Sequence, residues 1–196
     1  MTLARMHSRT PRHRAWLLAA LLAAAPAWAD DYAEMSAMLR SGRNAEALSR
    51  IDQALAAKPR DPQLRFLKGV AQSQAGRSAD AMATFTALTQ EHPELPEPYN
   101  NLGVLHAARS EFDQARVALE TAVRLLPGYS VAHENLGDVY AKLAARSYVR
   151  AQQLDARNAG IAPKLTLIQQ LFAPRTAPVS SAADPAAALA AATFGF

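Results

Sequence analysis

The sequence contains no cysteine. This absence excludes disulfide bonds, thiolate zinc sites, cysteine nucleophiles and lipid anchors that are attached through cysteine. Aromatic residues make up only 7% of the chain, and Val, Ile and Thr are also scarce, whereas Ala, Leu, Arg and Gln are common. Because the scarce residues favour strands and the common ones favour helices, the composition predicts a helical protein.

The first 29 residues have the three parts of a secretory signal peptide. Four arginines without an acidic residue precede a short apolar run, and Ala27-Trp28-Ala29 then places small residues on both sides of one position. This order predicts cleavage after Ala29 and a mature chain that starts at Asp30. The apolar run has about a dozen residues, too few to cross a hydrocarbon layer of roughly 30 Å. An uncleaved N-terminal anchor is the alternative interpretation.

The excess of positive charge belongs to this segment. The whole sequence has 21 basic and 17 acidic residues, and the segment holds four of the basic ones and none of the acidic ones. The mature chain would therefore have 17 of each and no net charge. Nucleic-acid binding needs a basic surface on the folded protein, so none is expected. An alanine-rich signal on a cysteine-free chain is typical of the bacterial periplasm, which is the location we expect.

A period of 34 residues runs through the chain. The tripeptide Asn-Leu-Gly occurs at 101–103 and again at 135–137, and five independent sets of positions keep the same interval. These sets are Gly42 and Gly76; Gly69, Gly103 and Gly137; Pro59, Pro93 and Pro127; Ala47, Ala81 and Ala115; and Ile51, Phe85 and Leu119. Such a period predicts a solenoid of identical supersecondary units that bury their apolar faces against one another.

The residue types at these positions resemble the tetratricopeptide repeat, in which an aromatic residue, Leu-Gly, alanine and proline follow in this order. The third unit shows the pattern best, with Tyr99, Leu102-Gly103, Ala115, Leu119, Ala122 and Pro127. The resemblance covers residues 30–158, with repeats at about 30–61, 62–95, 96–129 and a shortened 130–158. It implies an all-α, right-handed α-solenoid of tetratricopeptide-type helix pairs with a C-terminal capping helix.

The resemblance also gives the repeated glycines physical roles. Gly69, Gly103 and Gly137 are expected where the first helix of a unit presses against the second, so that no side chain fits. Gly42 and Gly76 are expected where the first helix ends, because a left-handed residue is favoured there.

The last part of the chain departs from the pattern. The fourth unit is five residues short, and residues 131–155 contain one glycine and no proline. One long helix is therefore expected there, with a very tight hairpin as the alternative. Residues 159–172 predict a capping helix, and residues 173–196, rich in alanine and proline, predict a disordered tail. Two aromatic residues near its end, Phe194 and Phe196, predict either a docking tag or no role.

The sequence contains no convincing catalytic motif. His133-Glu134-Asn135-Leu136-Gly137 lacks the second histidine of a zinc-binding helix, and no glycine-rich phosphate loop occurs. His106 and His133 occupy positions where the family has aromatic residues, which favours a packing role. We therefore expect a protein that is not an enzyme and that needs no metal or cofactor.

The resemblance implies a concave groove, lined by the first helix of each repeat. We predict that this groove binds a peptide or a partner helix through Phe66, Gln74, Glu97, Asn100, Asn101, Glu134, Asn135, Asp138 and Lys142. The amides of Asn101 and Asn135 either bond the backbone of a ligand or make local contacts. Some family members hold carboxylates with paired basic residues, whereas Lys142 stands alone among acids. A neutral or basic segment is therefore the expected ligand.

These observations predict a periplasmic adaptor for protein–protein interaction. The alternative is a structural subunit of a cell-envelope complex, concerned with outer-membrane or cell-wall assembly, that binds through its helical edges. The array has three full repeats and a short one, which is near the minimum of about three that such arrays need for stability. An end-to-end homodimer, which would lengthen the array, is therefore a further alternative. No membrane span is expected after removal of the signal peptide.

Overall fold

The computed structural model describes residues 26–173, with side chains from Asp31 onward. Residues 1–25 of the predicted signal peptide and residues 174–196 of the predicted tail lie outside the described residues. Eight α-helices and no strand make up the described part of the chain. The helices are α1 (Pro26–Arg40), α2 (Asn44–Ala57), α3 (Pro62–Gln74), α4 (Ser78–Glu91), α5 (Pro96–Ala108), α6 (Phe112–Leu125), α7 (Ser130–Leu154) and α8 (Ile161–Leu171).

The first six helices form three pairs, each closed by a short turn. Every helix packs against the next one along the chain, and α1 also packs against α3 and α5 against α7. The first helices of the first and second pairs are therefore neighbours, and so are those of the third and fourth units, as stacking of repeated units requires. The predicted all-α solenoid is confirmed.

The turn inside each pair depends on one left-handed residue. Gly42 and Gly76 both have φ of +75°. At the second turn the Arg77 amide donates to the Gln72 carbonyl at 2.8 Å and so satisfies a carbonyl at the end of α3. The third turn has Ser110 at the equivalent position, with φ of +61°. A side chain in this conformation costs roughly 1–2 kcal/mol, so the third turn is strained relative to the other two.

The start of α3 links two units. One oxygen of the Asp61 carboxylate accepts a hydrogen bond from the Leu64 amide at 3.0 Å and caps the helix. The other oxygen accepts from the Tyr32 hydroxyl on α1 at 2.7 Å. Pro62 at the first helical position needs no partner for a backbone N–H.

In the second and third pairs the two helices meet at a glycine. A Cβ on Gly69 would lie 2.6 Å from the Phe85 ring, and a Cβ on Gly103 would overlap the Leu119 side chain. Phe85 and Leu119 are fully buried, so neither can move aside into solvent. The predicted close approach is confirmed at these two glycines. It is wrong at Gly137, where nothing lies within 4 Å of a Cβ, because α7 continues past the point where a second helix would fold back.

The shortened fourth unit is one helix. α7 is continuous from Ser130 to Leu154, which confirms the long helix and excludes the tight hairpin. α8 returns along it in the opposite direction, since Lys164 lies over the Tyr148 ring and Lys142 over the Phe172 ring. α8 covers α7 only in part: Ile161 is buried, whereas Leu167 and Leu171 remain 63% and 71% exposed. None of the helices between Pro26 and Leu171 combines the length and apolarity of a membrane span.

The glycine contact can be tested with two matched substitutions. Gly103→Ala should lower the free energy of unfolding by ~1–3 kcal/mol, because the new methyl group overlaps Leu119. Gly137→Ala should raise it by ~0.5–1 kcal/mol, because the site is open and alanine suits a helix interior better than glycine. Urea unfolding followed by circular dichroism measures both. A Gly103→Ala variant that is at least as stable as the parent would contradict the packing role of Gly103, and a destabilised Gly137→Ala variant would contradict the open site at Gly137.

The strained turn gives a second test. Ser110→Gly should raise the free energy of unfolding by up to about 1 kcal/mol, because glycine adopts a positive φ without steric cost. Ser147→Gly, at an exposed position inside α7, is the matched control and should be destabilising by roughly 0.5 kcal/mol. Thermal unfolding of the two variants beside the parent chain checks the difference, and a Ser110→Gly variant that is less stable than the parent refutes it.

Candidate peptide-binding site

A pocket of about 240 Å³ lies where α5, α6 and α7 meet. We call it the α7 pocket. Most of its lining is apolar, and its polar groups come from one helix. The lining residues are Val104, Ala107, Phe112, Leu119, Asn135, Asp138, Val139, Lys142 and Phe172. A largely apolar concavity with a few convergent polar groups is the usual form of a binding site.

Three predicted binding residues converge on this pocket. Asn135, Asp138 and Lys142 are spaced by three and four positions along α7, which places them on one face of the helix. Asp138 is exposed as a residue, although its carboxyl group is partly desolvated, and Asn135 is half-buried. The pocket therefore offers an acceptor, an amide and a cation along one wall and an apolar surface along the others.

Three other predicted binding residues lie in the interior instead. Phe66, Asn100 and Asn101 are 3%, 1% and 0% exposed. The ring of Phe66 packs against that of Phe85, with 5.7 Å between ring centroids. The predicted direct contact of these three side chains with a ligand is therefore corrected, because stacking of the first helices encloses them.

The two asparagines of the repeated tripeptide differ in role. Asn101 donates from Nδ2 to the Glu97 carbonyl of its own helix at 2.9 Å, which is the local contact left open by the sequence. Asn135 donates from Nδ2 to Oδ1 of Asn100 at 2.9 Å and so joins α7 to α5. A partly buried amide pair of this kind fixes the relative position of two first helices. Asn135 both makes this bond and lines the α7 pocket.

Several buried polar atoms near the first helices lack a hydrogen-bond partner. They are both amide atoms of Gln74, Oε2 of Glu97, Oδ1 of Asn101 and the hydroxyl of Tyr129. Burial raises the pKa of the Glu97 carboxyl, and burial followed by the Glu97 charge raises the pKa of Tyr129. Unsatisfied buried polar groups are uncommon in folded proteins, so their concentration near the first helices sets this region apart from the rest of the core.

The charge of the α7 wall is unbalanced. Burial first, and then repulsion by Glu134, raise the pKa of Asp138, while Lys142 acts in the opposite direction. The Lys142 ammonium lies 3.7 Å from the centroid of the Phe172 ring, so it is shared between the carboxylate and an aromatic face. Glu134 itself is exposed on α7. The wall as a whole favours positive over negative ligands.

The apolar part of the pocket was not predicted. Ala107, Phe112, Val139 and Phe172 line it together with residues of the repeat core. Phe172 reaches it only because α8 runs back along α7, which no repeat position specifies. The helical spacing of Leu165, Ile168 and Phe172 was the one available signal of an apolar face on α8.

The described residues offer no metal site, since none of their His, Asp and Glu side chains form a suitable group of three. His106 contacts the Glu111 carboxylate at 2.7 Å through Nδ1. His133 is exposed and donates from Nε2 to the Pro127 carbonyl at 2.9 Å, so the packing role expected for this histidine is wrong.

Comparison with known proteins agrees with this architecture. Residues 32–96 match the tetratricopeptide repeat family. The fold is similar to that of a chain in the structure of Naa15/Naa10 bound to HypK-THB, with a TM-score of 0.52 and 16% identity. That match covers 73% of this chain and 22% of the other, so this chain spans about a fifth of it.

The fold is also similar to that of MamA, with a TM-score of 0.50 and 20% identity over 68% of this chain and 81% of MamA. A second MamA structure gives a TM-score of 0.50 and 21% identity over 71% and 79% of the two chains. At these identities the likeness concerns the fold alone. The chain is thus a helical-repeat solenoid that carries a tetratricopeptide match over residues 32–96.

Proposed function

We propose that this protein is an exported adaptor that binds a segment of a partner protein across its first helices. The observation that carries the proposal is the α7 pocket, in which Asn135, Asp138 and Lys142 line one wall of an otherwise apolar concavity. An apolar side chain of the partner would enter the pocket. The Asn135 amide and the Asp138 carboxylate would meet its polar groups at the rim.

The architecture supports binding rather than catalysis. Solenoids expose a row of first helices, and adaptors of this type place extended or helical segments along that row. One protein with a similar fold belongs to a structure with a bound partner, HypK-THB. Export rests on the pattern of residues 1–29 and makes the periplasm the proposed location.

The electrostatics support a neutral or basic ligand. Glu97, Glu134 and Asp138 lie on α5 and α7, and burial disfavours the charged forms of Glu97 and Asp138. A cationic group from the partner would relieve this cost, whereas a carboxylate would add to it. Lys142 is the opposing charge at the pocket and is already held near Phe172.

The outer end of the array supports a second candidate. Leu154, Leu167 and Leu171 are 72%, 63% and 71% exposed on α7 and α8. Exposed apolar groups of this size favour an interaction surface. In this alternative the protein is a structural subunit of an envelope complex and binds through its edge.

Site-specific photocrosslinking distinguishes the two candidates. A photoreactive phenylalanine analogue would replace Asp138 in the pocket, Leu167 at the edge, or Gln114 on the exposed face of α6, in the full chain in intact cells. We expect an adduct at Asp138 and none at Gln114, in a periplasmic fraction where the chain starts at Asp30. An adduct confined to Leu167 would favour the structural subunit and contradict the adaptor. An adduct of twice the chain mass would identify a homodimer.

A pocket-filling substitution sharpens this experiment. Ala107 lines the α7 pocket, and its neighbour Ala108 is exposed and does not. Ala107→Leu should remove most of the Asp138 adduct, and Ala108→Leu should leave it unchanged. Equal adduct yields from both variants would show that the partner does not enter the pocket.

The buried charge at Glu97 predicts a pH dependence. Because burial raises the pKa of Glu97 above its ordinary value of 4.5, the folded chain binds this proton more tightly than the unfolded chain. Ionisation of Glu97 as the pH rises through its folded pKa therefore lowers stability. Glu97→Gln should raise the melting temperature at pH 7, and the gain should vanish as the pH falls below 4.5.

Melting curves from about pH 4, where an ordinary carboxyl group is largely protonated, to about pH 7.5, where it is ionised, check this dependence. Glu134→Gln removes the same charge from an exposed position and should change stability by less than about 0.5 kcal/mol. A gain for Glu97→Gln that is constant across this range would contradict the role of ionisation.

A further inference from the structure

The α7 pocket has the chemistry of a site for an aromatic side chain. Val104, Ala107, Val139 and Phe172 give it an apolar surface, and Phe172 adds an aromatic face to the wall. The Lys142 ammonium lies over that face at 3.7 Å, so the rim already holds a cation next to an aromatic ring. A second ring entering there would pack against Phe172 and lie within reach of the same cation.

The chain leaves the described region at this pocket. Phe172 lines it, Ala173 is the last described residue, and residues 174–196 come after it. At 3.3–3.6 Å per residue, these residues could extend over roughly 75–80 Å, about twice the length of a helix as long as α7. A chain tethered at the pocket is thus long enough to return to it. Tethering to the same chain would raise the effective concentration of the segment at the pocket.

The composition of this segment singles out its last part. Its two aromatic residues are Phe194 and Phe196, with Gly195 between them, and its other residues are mainly Ala, Pro, Ser and Thr. One arginine, Arg175, and one aspartate, Asp184, give its side chains no net charge. The side chains of the segment are therefore neutral overall, and residues 193–196 carry no acidic side chain that Glu134 or Asp138 would repel.

We propose that residues 193–196 of this chain dock in the α7 pocket, with Phe194 or Phe196 inside it, and compete there with a partner segment. This inference rests on the proposed function, since it assigns an internal competitor to the same pocket. The docked segment would lower the apparent affinity for the partner by occupying the site. A partner would then bind only when it displaces the segment.

Disulfide trapping in the full chain tests the docking, because the sequence contains no native cysteine that could interfere. One variant carries Asp138→Cys with Gly195→Cys, and the matched control carries Gln114→Cys with Gly195→Cys. Asp138 and Gln114, the two positions paired with residue 195, are both exposed. Circular dichroism verifies that the helices are retained in both variants. A disulfide needs Cα atoms within about 7 Å, so bond formation reports on contact with the pocket.

We expect the Asp138→Cys pair to close within one chain at least about tenfold faster than the control pair, as tethered docking predicts. Adding Phe194→Ala and Phe196→Ala should reduce the rate to that of the control. Equal rates for the two pairs would overturn the proposal. A bond that joins two chains would also overturn it, because the segment would then occupy the pocket of a second copy.

The partner adduct separates this inference from the proposed function. With the photoreactive residue at Asp138, Phe194→Ala with Phe196→Ala should increase the yield of partner adduct, because the competitor is lost. Selective disulfide closure without any partner adduct would support docking of residues 193–196 and contradict the proposed adaptor function. The opposite result is a partner adduct whose yield does not change with the two substitutions, together with no selective disulfide closure. It would support the proposed adaptor function and overturn the docking of residues 193–196.

Discussion

The contact between a glycine on the first helix and a large apolar side chain on the second determines the rest of the structure. Gly69 faces Phe85 and Gly103 faces Leu119, and in both pairs a Cβ would meet the partner side chain. Because the helices approach this closely, the second helix can present a fully buried side chain to the core. The second and third pairs are thereby packed closely, and stacking of the units brings first helices such as α5 and α7 side by side. The amide pair of Asn100 and Asn135 can form only because α5 and α7 are aligned in this way.

The fourth unit lacks this contact and folds differently. Gly137 keeps its place in the period but faces open space, since α7 continues as one helix to Leu154. The chain reverses only after α7 ends, and α8 then brings Phe172 back to the level of Lys142. An aromatic side chain is thereby placed at the pocket beside α5 and α7. The shortening of one repeat thus accounts both for the α7 pocket and for the exposed leucines of α7 and α8.

The sequence predicts the repeated parts of this fold well because they obey a strict period. The helix pairs, the left-handed glycines at 42 and 76, and the close contacts at Gly69 and Gly103 all result from it. The long α7 results from the lack of proline and of a second glycine. The burial of Asn100 and Asn101 could not be predicted in the same way. Neighbouring helical residues point about 100° apart, so the faces they occupy depend on how closely the first helices stack. The position of Phe172 depends on the direction of α8, which belongs to no repeat.

The α7 pocket joins groups that the repeat positions and the end of the array supply separately. Asn135 and Asp138 occupy first-helix positions of the fourth repeat, whereas Phe172 belongs to the segment that closes the array. The ammonium of Lys142 connects the two, since it counters the charge of Asp138 and lies over the ring of Phe172. A ligand in the α7 pocket would therefore lie next to the contact that holds the end of α8 against α7.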